Sequence, residues 1–124
     1  MNYVLFELMD THALTSRNGY IAEIVKYINE HISTPITLTE ISEHVHLSKE
    51  YTAKLFKKEM GATTTEFIHE TKMKMAKDLI FFDKISLLDI STQLRYFNYS
   101  YFTRTFKKFF GYAPAEYRKK VHKA

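Results

Sequence analysis

The side chains best suited to chemistry in this chain are basic, and they come in two matching sets. Phe56-Lys57-Lys58-Glu59-Met60-Gly61 recurs as Phe106-Lys107-Lys108-Phe109-Phe110-Gly111, an offset of 50 residues. Lysine and arginine on one face of a helix hold polyanions, because each cation that neutralises a phosphate releases condensed counterions. The charge distribution agrees. Residues 1–62 carry 6 Lys and Arg against 8 Asp and Glu, whereas residues 63–124 carry 12 against 6, within an overall net charge of +4. A basic second half suits a polyanionic partner. A solvated lysine-rich surface is the other reading, and charge alone does not choose between them.

Other chemistries find little support. Cys is 0, which excludes a disulfide scaffold, a thiolate zinc site and a cysteine nucleophile. Of the 6 histidines, His44 and His46 are two apart, a spacing that points them to different faces of a helix. No third ligand follows at a suitable distance, so neither a metal nor another cofactor is expected. The 3 glycines form no phosphate-cradling loop, and the carboxylates are scattered, so an enzyme is not expected. No run of 18 apolar residues exists, which argues against a membrane span. Met1 to Leu14 contain Glu7 and Asp10 and lack a basic start, unlike a signal peptide. The expected location is the cytoplasm, in association with the nucleoid.

The basic residues must be positioned by a repeated element. At the same offset of 50, Tyr51 matches Tyr101 and Glu66-Phe67 matches Glu116-Tyr117. Further upstream the offset is 49: Thr37-Leu38-Thr39-Glu40-Ile41-Ser42 aligns with Ser86-Leu87-Leu88-Asp89-Ile90-Ser91, and Val45 with Leu94. The second copy therefore gains one residue between Leu94 and Tyr101. Each copy, about 37–61 and 86–111, reads as a short helix, a tight turn and a second helix. Thr37-x-x-Glu40 and Ser86-x-x-Asp89 have the form of capping boxes. Ser48 and Asn98 cap the second helices, and Gly61 and Gly111 end them. Tyr51, Leu55, Phe56, Tyr101, Phe102 and Phe106 read as core by their helical spacing rather than as a stacking platform for single strands.

Three more helices complete the reading: Tyr20–Ile32 after Asn18-Gly19, Thr64–Phe82, and one from Pro114 to about Val121. The long Thr64–Phe82 helix is expected to turn Phe67, Ile68, Met75 and Leu79 inward and Lys72, Lys74 and Lys77 outward, and to set the separation of the two copies. The predicted fold is all-α: seven helices, two helix-turn-helix units joined by a long linking helix. Residues 1–18 read as an N-terminal extension or interdomain linker, with Leu5, Leu8, Met9 and Ala13 on one side of a short amphipathic helix. Residues 19–124 form the domain.

Two helix-turn-helix units with Phe-Lys-Lys-x-x-Gly closing each second helix resemble the AraC/XylS family of bacterial transcription regulators. The likeness covers roughly Tyr20 to Lys120. It is strongest in Ser100-Tyr101-Phe102-Thr103-Arg104-Thr105-Phe106-Lys107-Lys108 and in Gly111-Tyr112-Ala113-Pro114-Ala115-Glu116-Tyr117-Arg118. Several positions depart from the family pattern. Arg95 stands at the usual glycine of the second turn, Tyr96 at the usual Phe, Tyr99 at a frequent Pro, Lys72 at an expected Arg, and Ser42 and Ser91 at alanines. If the second turn requires positive φ, Arg95 is strained there by on the order of 1 kcal/mol.

The resemblance implies the C-terminal DNA-binding domain of a regulator that binds double-stranded operator DNA through two recognition helices in successive major-groove segments. It carries base-contact roles onto Glu50, Ala53 and Lys54. Chemically these suit a cytosine amino group, a thymine methyl and a guanine. In the second helix Asn98, Tyr99, Ser100, Thr103 and Arg104 take that role, with Arg104 suited to bidentate guanine contact. Thr37, Ser48, Lys57, Ser86 and Lys107 are candidate phosphate contacts. Thr37 and Ser86 equally read as helix caps, and Lys57 and Lys107 as solvated lysines. An effector or dimerisation domain often precedes such a region. This chain therefore reads either as a small regulator that stands alone or, the preferred reading, as a fragment, monomeric by itself, of a protein able to dimerise through a missing domain. The alternative is a helical protein-interaction module whose basic half docks on an acidic partner such as RNA polymerase.

Overall fold

Apolar residues recurring at helical spacing bury themselves only when helices face one another, and this chain folds as its periodicity requires. The computed structural model describes residues 19–82 and 84–122, and within them seven helices follow in order. They are α1 (Gly19–Glu30), α2 (Leu38–Val45), α3 (Lys49–Met60), α4 (Thr64–Phe82), α5 (Leu87–Gln93), α6 (Tyr99–Phe110) and α7 (Pro114–Val121). No strand occurs among the described residues. The expected amphipathic segment with Leu5, Leu8, Met9 and Ala13 lies outside them. No described helix is long and apolar enough to cross a membrane.

The helices pack as two units whose boundary falls inside α4, between His69 and Glu70. In the first, Ile21, Ile24, Val25 and Ile28 of α1 are buried, as are Ile41, Val45, Leu55 and Phe56 of the helix-turn-helix and Phe67 of α4. The Phe56 and Phe67 rings meet edge to face at 5.6 Å. In the second, Met73, Ala76 and Ile80 of α4 join Ile90, Leu94, Tyr96, Phe102 and Phe106. Phe106 and Tyr117, the repeat counterparts of Phe56 and Phe67, have ring centroids 6.3 Å apart. The repeat seen in the sequence is thus a repeat of packing.

The helix starts are where the short polar residues put them. Thr37 and Glu40 form a reciprocal capping box: Thr37 Oγ1 accepts from the Glu40 N–H at 3.1 Å and the Thr37 N–H donates to Glu40 Oε1 at 3.0 Å. Ser48, Ser86 and Asn98 accept from the N–H groups of Tyr51, Asp89 and Tyr101. Thr63 and Glu66 make a further box at the start of α4, which the sequence reading did not single out. Each such cap is worth about 1 kcal/mol. Gly61 and Gly111 end α3 and α6 at φ +75° and +83°, the left-handed region that glycine enters without a Cβ penalty.

The turns inside the two units are alike and unusual. Leu47 N–H donates to Ser42 O at 3.1 Å, and Tyr96 N–H donates to Ser91 O at 3.0 Å. These six-to-one bonds close the helix ends in Schellman fashion, with His46 (φ 60°) and Arg95 (φ 64°) in the left-handed conformation. Glycine is the residue such a site favours, and an L side chain there costs about 1–2 kcal/mol. Arg95→Gly is therefore expected to stabilise the protein by about 1 kcal/mol, a rise of several degrees in Tm for a domain of this size. A calorimetric scan showing Tm unchanged or lowered would contradict the strain.

Candidate nucleic-acid interface

α3 and α6 occupy the same place in their units and turn the same positions inward. Thr52, Leu55 and Phe56 are buried in α3; Phe102, Thr105 and Phe106 are buried in α6. Thr52 Oγ1 and Thr105 Oγ1 donate to the carbonyls of Ser48 and Tyr101, four residues back, so neither buried hydroxyl is left unsatisfied. The opposite face is then fixed by the 3.6-residue period. It exposes Glu50, Lys54 and Lys57 on α3, and Tyr99, Ser100, Arg104 and Lys107 on α6. Ala53 and Thr103, a repeat pair, are half-buried. The slots Glu50/Ser100, Ala53/Thr103, Lys54/Arg104 and Lys57/Lys107 therefore coincide one for one.

The sequence-derived base-contact residues Glu50, Ala53, Lys54, Asn98, Tyr99, Ser100, Thr103 and Arg104 fall into two sets, one per unit, each at the N-terminal half of its helix. Among them Thr103 has its hydroxyl oxygen covered and without a hydrogen-bond partner, so only its remaining surface is presented. Asn98 Oδ1 is engaged by the Tyr101 N–H at 2.7 Å, so its remaining capacity is as an amide N–H donor.

The phosphate candidates differ in how free their donors are. Thr37 N–H and Thr37 Oγ1 both donate to Glu40 Oε1 at 3.0 Å. A carboxylate thus already sits where an anion would bind, and capping is the role the geometry favours for Thr37. Ser48 and Ser86 use their oxygens as acceptors, so their hydroxyl protons can still be donated. Lys57 and Lys107 lie in the last turns of α3 and α6, exposed, where a cation complements the helix dipole.

Two expectations need correction. The lysines of α4 do not point outward. Lys72 is 8% exposed, its ammonium 5.5 Å from the centre of the Tyr96 ring, and burial and then the Arg95 charge hold its pKa below the usual range. Lys77 lies 4.5 Å from the Phe110 centroid and 5.1 Å and 5.5 Å from those of Tyr117 and Tyr112, a cation held on aromatic faces. Lys74 is half-buried and donates to Glu70 at 3.3 Å. Residues inward at this register are Met73, Ala76 and Ile80, with Met75 and Leu79 only half-buried. Nor are Tyr51 and Tyr101 core residues: they are 51% and 39% exposed, at the edge of each helix face. Phe97, to which no role was assigned from sequence, is 92% exposed just before the cap of α6. A turn residue has no periodicity to reveal it.

A family model described as "Helix-turn-helix domain" matches residues 41–120. The chain is 34% identical over 95 residues, 77% of its length, to the uncharacterized HTH-type transcriptional regulator YtdP of Bacillus subtilis (strain 168). It spans 12% of that protein, and 38% and 37% of two further curated relatives. Its fold is similar to the C-terminal domain of AraT, a response regulator from Geobacillus stearothermophilus, with a TM-score of 0.79 and 26% identity over 85% of this chain and 88% of that one. The DNA-binding domain of AdpA, solved in complex with a target DNA, shares the fold at a TM-score of 0.75 and 17% identity, covering 80% and 89% of the two chains.

The second unit also contains a perturbed acid. Burial pushes the Asp78 carboxyl up to about 6, against the pull of the neighbouring Lys77, and its covered Oδ2 accepts no hydrogen bond. A carboxyl that holds its proton more tightly folded than unfolded adds stability at acid pH, and that contribution is lost as pH rises through about 6. Urea titrations between pH 4 and 7 should show the wild type losing stability relative to Asp78→Asn across this interval, with the variant the more stable at pH 7. A constant difference between the two would overturn the assignment.

Proposed function

The chain belongs to the AraC-type helix-turn-helix family, and from that premise we propose that it is the part of a transcription regulator that binds double-stranded DNA sequence-specifically. The observation that carries this reading is the coincidence of exposed slots on α3 and α6, each at the capped start of a helix whose other face is core. A helix in the major groove meets base edges with its N-terminal residues. Glu50, Ala53 and Lys54 take those places in the first unit, and Asn98, Tyr99, Ser100, Thr103 and Arg104 in the second. The two helices read successive major-groove segments, which lie about 34 Å apart on one face of B-DNA.

Arg104 is the principal reader. The residue is exposed, and two parallel guanidinium N–H donors match the O6 and N7 of guanine. Lys54, its repeat counterpart, offers a single point charge and discriminates less. Lys57, Lys107, Ser48 and Ser86 grip phosphates and set register, whereas Thr37 serves mainly as a cap. The AraC-type domain is not itself an enzyme family. Work in the cytoplasm at the nucleoid, a monomeric state for this chain and contact with RNA polymerase belong to the same proposal.

Arg104→Ala is expected to cost about 1–3 kcal/mol on the preferred duplex and to relax selectivity at one base position. Lys57→Ala should weaken binding to all sequences alike and flatten the slope of log K against log salt by about 1. Fluorescence anisotropy on matched and scrambled duplexes measures both. Equal losses on both duplexes for Arg104→Ala would make it a phosphate clamp. Wild-type binding that is negligible at physiological salt would favour the protein-docking alternative.

A further inference from the structure

The proposed contacts leave one exposed apolar side chain beside α6 unexplained, Phe97. It is 92% exposed, more than any other large apolar side chain of the described residues; the next, Leu88 and Phe82, are 59% and 57% exposed. It follows Tyr96, which the Schellman turn fixes through the bond to Ser91, and precedes Asn98, which caps α6. Both neighbours are tied down, so the Phe97 backbone is fixed beside the capped start of α6 while its side chain stays exposed. It makes no ring contact with the aromatic core behind it, where Tyr96, Phe102 and Phe106 are buried. The repeat explains its place as well. The second copy is one residue longer between Leu94 and Tyr101. The first copy runs from the αL residue His46 through Leu47 straight to its cap Ser48, whereas the second inserts Phe97 between Tyr96 and Asn98.

We infer that Phe97 is a specificity-determining residue of the second unit, one that packs against the 5-methyl group of a thymine in the major groove. The inference rests on the DNA-binding reading above and adds a base to it. An apolar ring is the complement of that methyl, which distinguishes thymine from every other base edge in the groove. Such a contact also removes from water the apolar surface that the free protein leaves exposed. Charge and hydrogen bonding at Tyr99, Ser100 and Arg104 read polar edges. Phe97, 92% exposed, presents far more apolar surface than Tyr99 at 38%, and Ser100 and Arg104 present none of comparable size.

The test compares a selected thymine-containing duplex with the same duplex carrying deoxyuridine at each thymine in turn, a change that deletes only the methyl. The wild-type chain should lose about fourfold in affinity at one position, what burial of a single methyl is worth. Phe97→Ala should bind both duplexes alike, at the weaker level, while Phe97→Leu should keep most of the preference. Arg104→Ala, weaker on both, should keep the thymine preference. Equal losses for Phe97→Ala on thymine and uracil duplexes would mean that the ring packs on sugar or backbone and would overturn the inference. So would an affinity that Phe97→Ala leaves unchanged. If the wild-type chain binds no duplex selectively, the DNA-binding reading itself fails, and that outcome is read before any variant is made.

Discussion

A helix of seven or eight residues leaves at least half of its backbone donors and acceptors without intrahelical partners, and closing them within one turn is the constraint on which this protein depends. α2 and α5 are that short. Their first N–H groups are met by Thr37 and Ser86, and their last carbonyls by the N–H groups of Leu47 and Tyr96. The closure demands a left-handed residue, and the chain supplies His46 and Arg95 at a local cost that the buried neighbours Ile41, Val45, Ile90 and Leu94 offset. Once the turn is fixed, the direction of the following helix is fixed too. Ser48 and Asn98 start it, a buried threonine and two buried apolar residues set its roll, and the outward face is what remains.

That outward face explains how binding and stability are divided within each unit. Of the residues that would read bases, Glu50, Lys54, Tyr99, Ser100 and Arg104 are exposed, whereas Ala53 and Thr103 are half-buried and Asn98 also caps α6. Substitutions at Arg104 or Lys57 should therefore act on binding with little effect on folding. The basic balance of the second half is less available to DNA than its net charge suggests. Lys72 and Lys77 are committed to aromatic rings and Lys74 to a carboxylate. Exposed cations lie instead on α3, on α6 and at the end of α7, where Lys119 and Lys120 are exposed, with Lys84 and Arg95 between helices.

Much of this was legible in the residues. The offset of 50 residues, falling to 49 upstream, marked both units and the extra residue in the second. Short polar residues three before Glu, Asp or an aromatic marked the helix starts. Arg95 at a position where glycine is usual marked the strained turn. The register of α4 was not legible. A lysine has a long apolar stem, and its place depends on rings of α6, α7 and the turns, far away in sequence. Tyr51 and Tyr101 misled for a related reason: a phenol at a face boundary satisfies the helical period whether its ring is inside or at the rim. α1 ends at Glu30 rather than Ile32, yet Ile32 is still buried by the turn that follows. Which base each exposed side chain meets is not encoded in spacing at all, because it depends on the partner.

Selection from a random duplex pool, carried out with this chain alone, tests the central claim most directly. Two capped recognition helices, each with its own set of exposed slots, predict an enriched site with two short fixed blocks about ten base pairs apart. A pool that shows no enrichment, with only weak and steeply salt-dependent binding, would contradict the claim that this surface reads sequence.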